Sequence, residues 1–178
     1  MKHILTLICA LMLFGFIFIG CTVDKDFSFE LEKEFEVDHS STTYSDSSDI
    51  DVTEESSDFE DYKDDISKIS LEEASYTITY FHGTATQTIL TSQLQVGEVT
   101  GGAPTLLANV DNVNLMSVAA ITQTITTNED GKTKLRNLIL NSPYTVRFYY
   151  NCTANEAPLD FKVRFNLKFK ATYEKKII

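Results

Sequence analysis

The stretch LDFKVRFNLKFKATY, residues 159–173, decides the fold class. Its odd positions hold Leu159, Phe161, Val163, Phe165, Leu167, Phe169, Ala171 and Tyr173, while Lys162, Arg164, Lys168 and Lys170 hold even ones. A strand sends successive side chains to opposite faces, whereas a helix would scatter those eight groups around its circumference. The segment therefore reads as a long strand with one buried face and one basic, wetted face. Such a strand belongs to an antiparallel sheet packed on one side.

The same period governs DFSFELEKEFEVD, residues 26–38. Phe29, Leu31, Phe35 and Val37 share one parity, and Glu30, Glu32, Glu34 and Glu36 share the other. The acidic strand face and the basic one either lie side by side, where opposite charges across neighbouring strands contribute about 0.2–1 kcal/mol per pair, or are each simply solvated. YTVRFYY, residues 144–150, places Tyr144, Val146, Phe148 and Tyr150 on one side. Residues 151–158 are expected to join it to the final strand as an antiparallel hairpin. ISLEEASYTITYF, residues 69–81, begins with Ile69 and Leu71 on odd positions and continues with Tyr76, Ile78 and Tyr80 on even ones, which predicts a bulge near residues 72–74. After a turn at Gly83, TATQTILTSQLQV, residues 84–96, offers Leu90, Leu94 and Val96 as one face.

Two stretches change to a helical period. Phe59, Tyr62, Ile66 and Ile69 step by three and four, with Ser57 and Glu60 at capping-box spacing. In KTKLRNLILNSP, residues 132–143, Leu135, Leu138 and Ile139 share a face, and Asn141, Ser142 and Pro143 stop the helix. Residues 38–58 are rich in serine, threonine and acid without a sustained period, and read as a solvated acidic loop. Residues 106–127 satisfy both periods and stay unassigned. The expected architecture is mainly β, an antiparallel β-sandwich of six to eight strands with one or two short helices, forming a single domain over residues 27–178.

Upstream, Lys2 precedes a nearly unbroken apolar run over residues 4–19, the layout of a secretory signal. By length alone the run equally suits a short membrane anchor. Its end separates the readings: Phe18, Ile19, Gly20 and Cys21 resemble the lipobox of bacterial lipoproteins, with phenylalanine where leucine is usual. The resemblance implies a signal peptide over residues 1–20, cleavage between Gly20 and Cys21, and diacylglycerol and palmitate-type acyl chains on Cys21. Residues 21–26 then form a lipidated N-terminus and short tether. Two or three acyl chains hold a protein to a bilayer stably where a single one is marginal. Thr22, Val23, Asp24, Lys25 and Asp26 resemble the acidic tags that follow the cysteine in surface lipoproteins of Bacteroidota. The location so implied is the cell envelope, at the outer membrane, with the membrane itself as a partner through the lipid.

Charge narrows the partners further. Residues 21–73 hold 19 acids against 4 bases, residues 74–178 hold 7 against 10, and the whole chain carries −11. Such a field repels phosphate, so nucleic acid is not an expected partner. Once Cys9 leaves with the leader and Cys21 takes lipid, Cys152 stands alone in a segment read as a loop, and an inert thiol is expected.

Chemistry-bearing motifs are sparse. His39 and His82 lack neighbours at metal-ligand spacing, and no nucleophile elbow, phosphate loop or Cys-x-x-Cys pair occurs. No catalytic residue, metal site or cofactor is expected. Asp46, Asp49 and Asp51 in DSSDID offer oxygen ligands for calcium, but the EF-hand glycine and terminal glutamate are missing. Tyr44, Tyr149 and Tyr150 are candidate stacking contacts for a sugar, with Tyr149 and Tyr150 the candidate ligand residues. The expected function is a lipid-anchored, non-enzymatic interaction or structural domain with an envelope protein as partner. A small-ligand or glycan-binding lipoprotein is the alternative.

Overall fold

The structure, a computed structural model, describes residues 21–177; the expected signal peptide, residues 1–20, lies outside them. Eight strands follow in order: β1 (Cys21–His39), β2 (Thr43–Asp51), β3 (Ile66–Phe81), β4 (Thr88–Gly97), β5 (Thr105–Asn114), β6 (Gln123–Thr124), β7 (Thr145–Ala154) and β8 (Leu159–Ile177). Four helices interrupt them: α1 (Val52–Glu55), α2 (Ser57–Tyr62), α3 (Leu115–Val118) and α4 (Glu129–Leu140). One sheet runs β1-β8-β3-β6 and the other β2-β7-β4-β5. The chain crosses between sheets at every step except β4 to β5, and the resulting order is that of a jelly roll, a sandwich of two Greek keys.

The core lies between the sheets and is filled by the alternations read above. Phe29, Leu31, Phe35 and Val37 of β1 face inward, as do the odd residues 159–171 of β8, each at most 6 % exposed. Phe35 reaches across to Tyr150 of the opposite sheet at 5.4 Å between ring centroids and touches Phe165 at 6.2 Å. The bulge expected near residues 72–74 appears as a register shift between Leu71 and Glu73 on β3. It moves the buried set from Ile69 to Ala74, Tyr76 and Ile78.

The two charged faces do meet. β1 and β8 pair antiparallel over their whole length, with Glu30 opposite Lys168, Glu34 opposite Arg164 and Glu36 opposite Lys162. Arg164 bridges Glu34 at 3.1 Å and Glu32 at 3.3 Å, Lys162 reaches Glu36 at 3.3 Å, and Lys170 reaches Asp26 at 2.8 Å. The match fails at both ends, where Asp24 faces Glu174 and Asp38 faces Asp160. These side chains are partly wet, so each pair contributes at the low end of about 0.2–1 kcal/mol. Changing Glu32 and Glu34 to lysine should lower stability, and adding Arg164→Glu and Lys168→Glu should restore most of it. Strictly additive losses in chemical denaturation would refute the coupling.

Two carboxyls in such pairs are held below the usual carboxylate range: Asp26 by its bond to Lys170, and Asp49 by the Arg147 guanidinium, which it grips at 2.7 and 2.8 Å. A depressed native value stabilises the fold above the unfolded value of about 3.9 and ceases to do so as pH falls through the native one. Stability should therefore be flat above about pH 5 and decline below about pH 4. Asp49→Asn should make that decline shallower.

Several expectations are corrected. β7 and β8 do not form a hairpin: they lie in different sheets, because β8 is flanked by β1 and β3 and β7 by β2 and β4. Residues 38–58 are not a loop; β2 occupies Thr43–Asp51 and pairs with β7 through Thr43↔Thr153 to Asp51↔Thr145, followed by α1. As an outer strand β2 buries only Ile50 fully, so it needs almost no apolar alternation. Residues 21–26 are not a tether but the first part of β1, in register with residues 172–177.

On β4, Ile89 rather than Leu90 points inward, since a register shift between Ile89 and Thr91 turns the strand there; Leu90 is 42 % exposed. Tyr144 lies outside β7, in a turn, with φ +60°. The short helix ends at Tyr62, with Ile66 and Ile69 already on β3, and its cap is Ser56, whose Oγ accepts from the Phe59 N–H at 3.1 Å. α4 is present as expected, capped by Asn128 and burying Leu135 and Ile139. The unassigned residues 106–127 split into a strand, one helical turn and a two-residue strand, which is why neither period persisted.

Candidate functional site

Cys21 opens β1 opposite Ile177, and β3 joins the sheet only from Ile66, opposite Tyr173. The first residues of β1 thus form a two-stranded ribbon with the last of β8, projecting about 15 Å at 3.3 Å per residue. Where ribbon meets sandwich, Tyr62 stacks on Tyr173 at 4.0 Å and Phe27 leans on both at 6.0 Å. The ribbon is therefore rooted in an aromatic cluster. Among the described residues no helix is long and apolar enough to cross a membrane.

The candidate sugar contacts separate. Tyr150 is 2 % exposed, packed in the core against Phe35 and Phe165, and cannot stack on a ligand. Burial pushes its phenol well above the ordinary value. Tyr149, its neighbour in β7, necessarily faces outward and lies half-buried against Gly97, where a Cβ would come within 3.1 Å of its ring. Tyr44 is also half-buried; its hydroxyl donates to the Glu36 carbonyl at 2.9 Å, so one main-chain acceptor of β1 is capped on the strand's outer edge. The three tyrosines thus form no common platform.

The acids of DSSDID do not converge either. Asp46 accepts from the Ser47 N–H, Asp49 holds Arg147, and Asp51 caps α1 through the Thr53 N–H at 3.0 Å. Each is occupied in place. Among the described residues no three histidine, cysteine or acidic side chains are grouped to hold a metal ion. Cys152 lies on β7 rather than in a loop, 4 % exposed, and burial pushes its thiol up to about 11. A thiol so protonated and covered is unreactive. Iodoacetamide at pH 8 should leave Cys152 unmodified in the native protein and label it fully in denaturant; rapid native labelling would refute this placement.

Three spaces have distinct character. Within the sandwich, a void of about 20 Å³ lined by Tyr76, Ile89, Tyr150 and Phe165 has room for about one water. Beside α4, an open cleft of about 430 Å³ is walled by Glu98, Lys134, Asn137, Leu138 and Pro143. At the end of the sandwich remote from Cys21, a cavity of about 240 Å³ lies between residues 82–87 and 156–160, with Asp38 at its rim.

This last cavity is the most heavily cross-linked. Glu156 accepts from the Thr84 and Thr86 hydroxyls at 2.7 and 2.9 Å, and Asn155 bonds both the Thr88 N–H and the Thr86 carbonyl. Gln87 donates from Nε2 to the Glu156 and Pro158 carbonyls. Sequence reasoning noticed only His82 and Gly83 here. Asp38 on β1 lies more than a hundred residues before Glu156, in the connecting loop, and Asp160, on β8, and no local pattern joins it to them.

No protein-family model matches the chain, and no curated protein does. Among solved structures it resembles the decameric BFDV capsid protein, at 6 % identity and a TM-score of 0.38 over 86 % of this chain and all of that one. It also resembles a Nora virus structure, at 9 % identity and 0.37 over 90 % of this chain and 63 % of that one. A third is turnip yellow mosaic virus, at 10 % and 0.32 over 89 % and 83 %. Likenesses this distant carry nothing about function, and the fold assignment rests on the strand order.

Proposed function

We propose that the chain is a lipid-anchored lipoprotein of the bacterial cell envelope, attached to the outer membrane through Cys21, that acts as a non-enzymatic interaction or structural domain. The observation that carries this reading is the sequence Phe18-Ile19-Gly20-Cys21, after which the chain is already in strand: Cys21, which would bear the lipid, lies on β1 in register with Ile177. A domain attached there stands directly on its anchor. β1 also leaves one edge without a partner strand among the described residues, the kind of edge to which a partner's extended segment can add. Lys33 points inward on that edge and acids crowd its solvent face, devices that discourage self-pairing and leave the edge to a different, basic partner.

Labelled palmitate fed to producing cells should appear on the protein and vanish in Cys21→Ser. A Cys21→Ser chain that still carries label would overturn the anchor. A pull-down of the lipidated protein from envelope extract should then enrich a specific protein neighbour. Small-ligand or glycan binding is the second reading, supported by the 430 Å³ cleft beside α4, whose size falls in the range of ligand pockets. Enrichment of a glycan-uptake complex in the same pull-down would raise it above the first.

A further inference from the structure

The outer edge of β1 presents a defined set of main-chain groups. The Glu36 carbonyl points away from β8, since the Tyr44 hydroxyl of β2 donates to it there at 2.9 Å. In an antiparallel pair the N–H and C=O of one residue point to the same side, and the side alternates along the strand. The even residues from Thr22 to Glu34 therefore turn both groups outward, while the odd ones bond to β8. Among the described residues no strand or side chain pairs with these outward groups before Glu36. Tyr44 thus closes one end of an edge that stays open for about 40 Å at 3.3–3.4 Å per residue.

The side chains of the same even residues lie on the solvent face, and their charge exceeds what the sheet supplies. Arg164 is shared between Glu32 and Glu34, and Lys168 between Glu30 and Glu73, so four carboxylates meet two bases. Lys33, the one base of β1 between Ser28 and Glu34, is half-buried on the other parity and helps hold the Asp49 carboxyl of β2 down. Its charge is engaged within the fold. The outer strand β2, then α1 and α2, continue the acidic flank, and residues 21–65 carry 17 acids against 3 bases.

We propose that this edge binds an extended polypeptide segment of alternating basic and apolar residues, which adds beside β1 as a fifth strand of its sheet. The alternation follows from the geometry. Partner residues that bond to Ser28, Glu30, Glu32 and Glu34 stand directly opposite them, about 5.5 Å away between Cα atoms, with side chains on the solvent face. A lysine or arginine there supplies the missing charge. The residues between them turn to the core side, where apolar groups continue the layer that Phe29, Leu31 and Phe35 begin. Main-chain bonds give such a strand its affinity, and the spacing of its side chains gives specificity. β8 shows the same alternation on the other side of β1, so the edge asks of a partner what the fold already uses. The inference rests on the interaction-domain reading and names the partner's chemistry; it does not require the lipid.

The test uses the purified full-length protein and a twelve-residue peptide alternating lysine and valine. Two N-methylated forms of equal charge separate strand addition from plain attraction: methyl groups on the backbone nitrogens of the lysines block the bonds to β1, whereas those on the valines face solvent. Fluorescence anisotropy should show the lysine-methylated form binding about tenfold or more weakly than the valine-methylated one. Amide exchange at Glu30, Glu32 and Glu34 should slow about tenfold under saturating valine-methylated peptide, while Leu31 and Lys33, already bonded to β8, keep their rates. Glu32→Lys should weaken binding about tenfold, and Asp111→Lys, exposed on β5, should leave it unchanged. Equal affinity of the two methylated forms, unaltered exchange at the even amides, or equal losses in the two variants would each overturn the proposal. Failure of both peptides to bind would overturn it too, and would leave the interaction-domain reading standing wherever the pull-down from envelope extract still enriches a neighbour.

Discussion

Phe35→Ala should cost about 3–5 kcal/mol of folding stability, the loss expected for truncating a fully buried aromatic side chain. Phe35 is 2 % exposed and touches rings of both sheets, Tyr150 from one and Phe165 from the other. Its removal opens a hole at the contact between layers, where neither sheet can close without disturbing its own ladder. Folded domains of this size hold only about 5–15 kcal/mol in total, so the variant should lose a large part of its margin. Urea denaturation would measure the loss as a lower midpoint at nearly constant slope. The adjacent Glu34→Ala and Glu36→Ala serve as internal controls: they lie one residue away on the solvent face and should cost less than about 1 kcal/mol. Equal losses at positions 34, 35 and 36 would mean that the alternation does not divide core from solvent.

Gly131→Ala should destabilise the protein by about 1–3 kcal/mol, although the general rule for an exposed helix interior predicts a gain of about 1 kcal/mol. The sign is the informative quantity. Gly131 lies in the first turn of α4 and is buried where the helix crosses β5; a Cβ there would collide with the Leu106 carbonyl and come within 2.6 Å of the Leu107 Cα. Both obstacles are main chain, so no rotamer change relieves them. The helix would have to lift from the sheet that Leu135 and Ile139 pack upon. Thermal melts of Gly131→Ala beside Thr133→Ala, an exposed position on the same helix, would separate close approach from helix propensity. A raised melting temperature for both would show that α4 does not dock as described.

Legibility in the sequence followed how much of a strand's burial is one-sided and unbroken. β8 and β1 were readable because β8 buries every odd residue from 159 to 171 and β1 buries Phe29, Leu31, Phe35 and Val37 on one parity while wetting the other, and their opposite charges made adjacency one of two readings. α4 was readable for the same reason at a helical period. β2 was not, because an outer strand that buries one side chain has a composition indistinguishable from a loop. Leu90 was misplaced because a single extra residue in β4 exchanges its faces. The β7–β8 hairpin was expected from adjacency in sequence, but pairing is settled by which edges are free, and that is a property of the whole topology. Tyr150 was a candidate ligand contact as an aromatic that could stack on a sugar, whereas the β7 alternation already placed it on one side with Val146 and Phe148. Nothing local could have gathered Asp38, Gln87, Glu156 and Asp160 around one cavity.

The pairing of β1 with β8 from its first residue also sets how the domain would bear mechanical force. A pull on Cys21 along the strand, resisted by whatever holds the far end of the sandwich, loads the β1–β8 hydrogen bonds together, in shear, with Phe27 wedged among aromatic rings near the base. A pull that separates Cys21 from Ile177 instead opens the same ladder one rung at a time. The first geometry resists rupture far better than the second, so an anchor at Cys21 with its opposing contact at the distal end would use the strong direction of this fold.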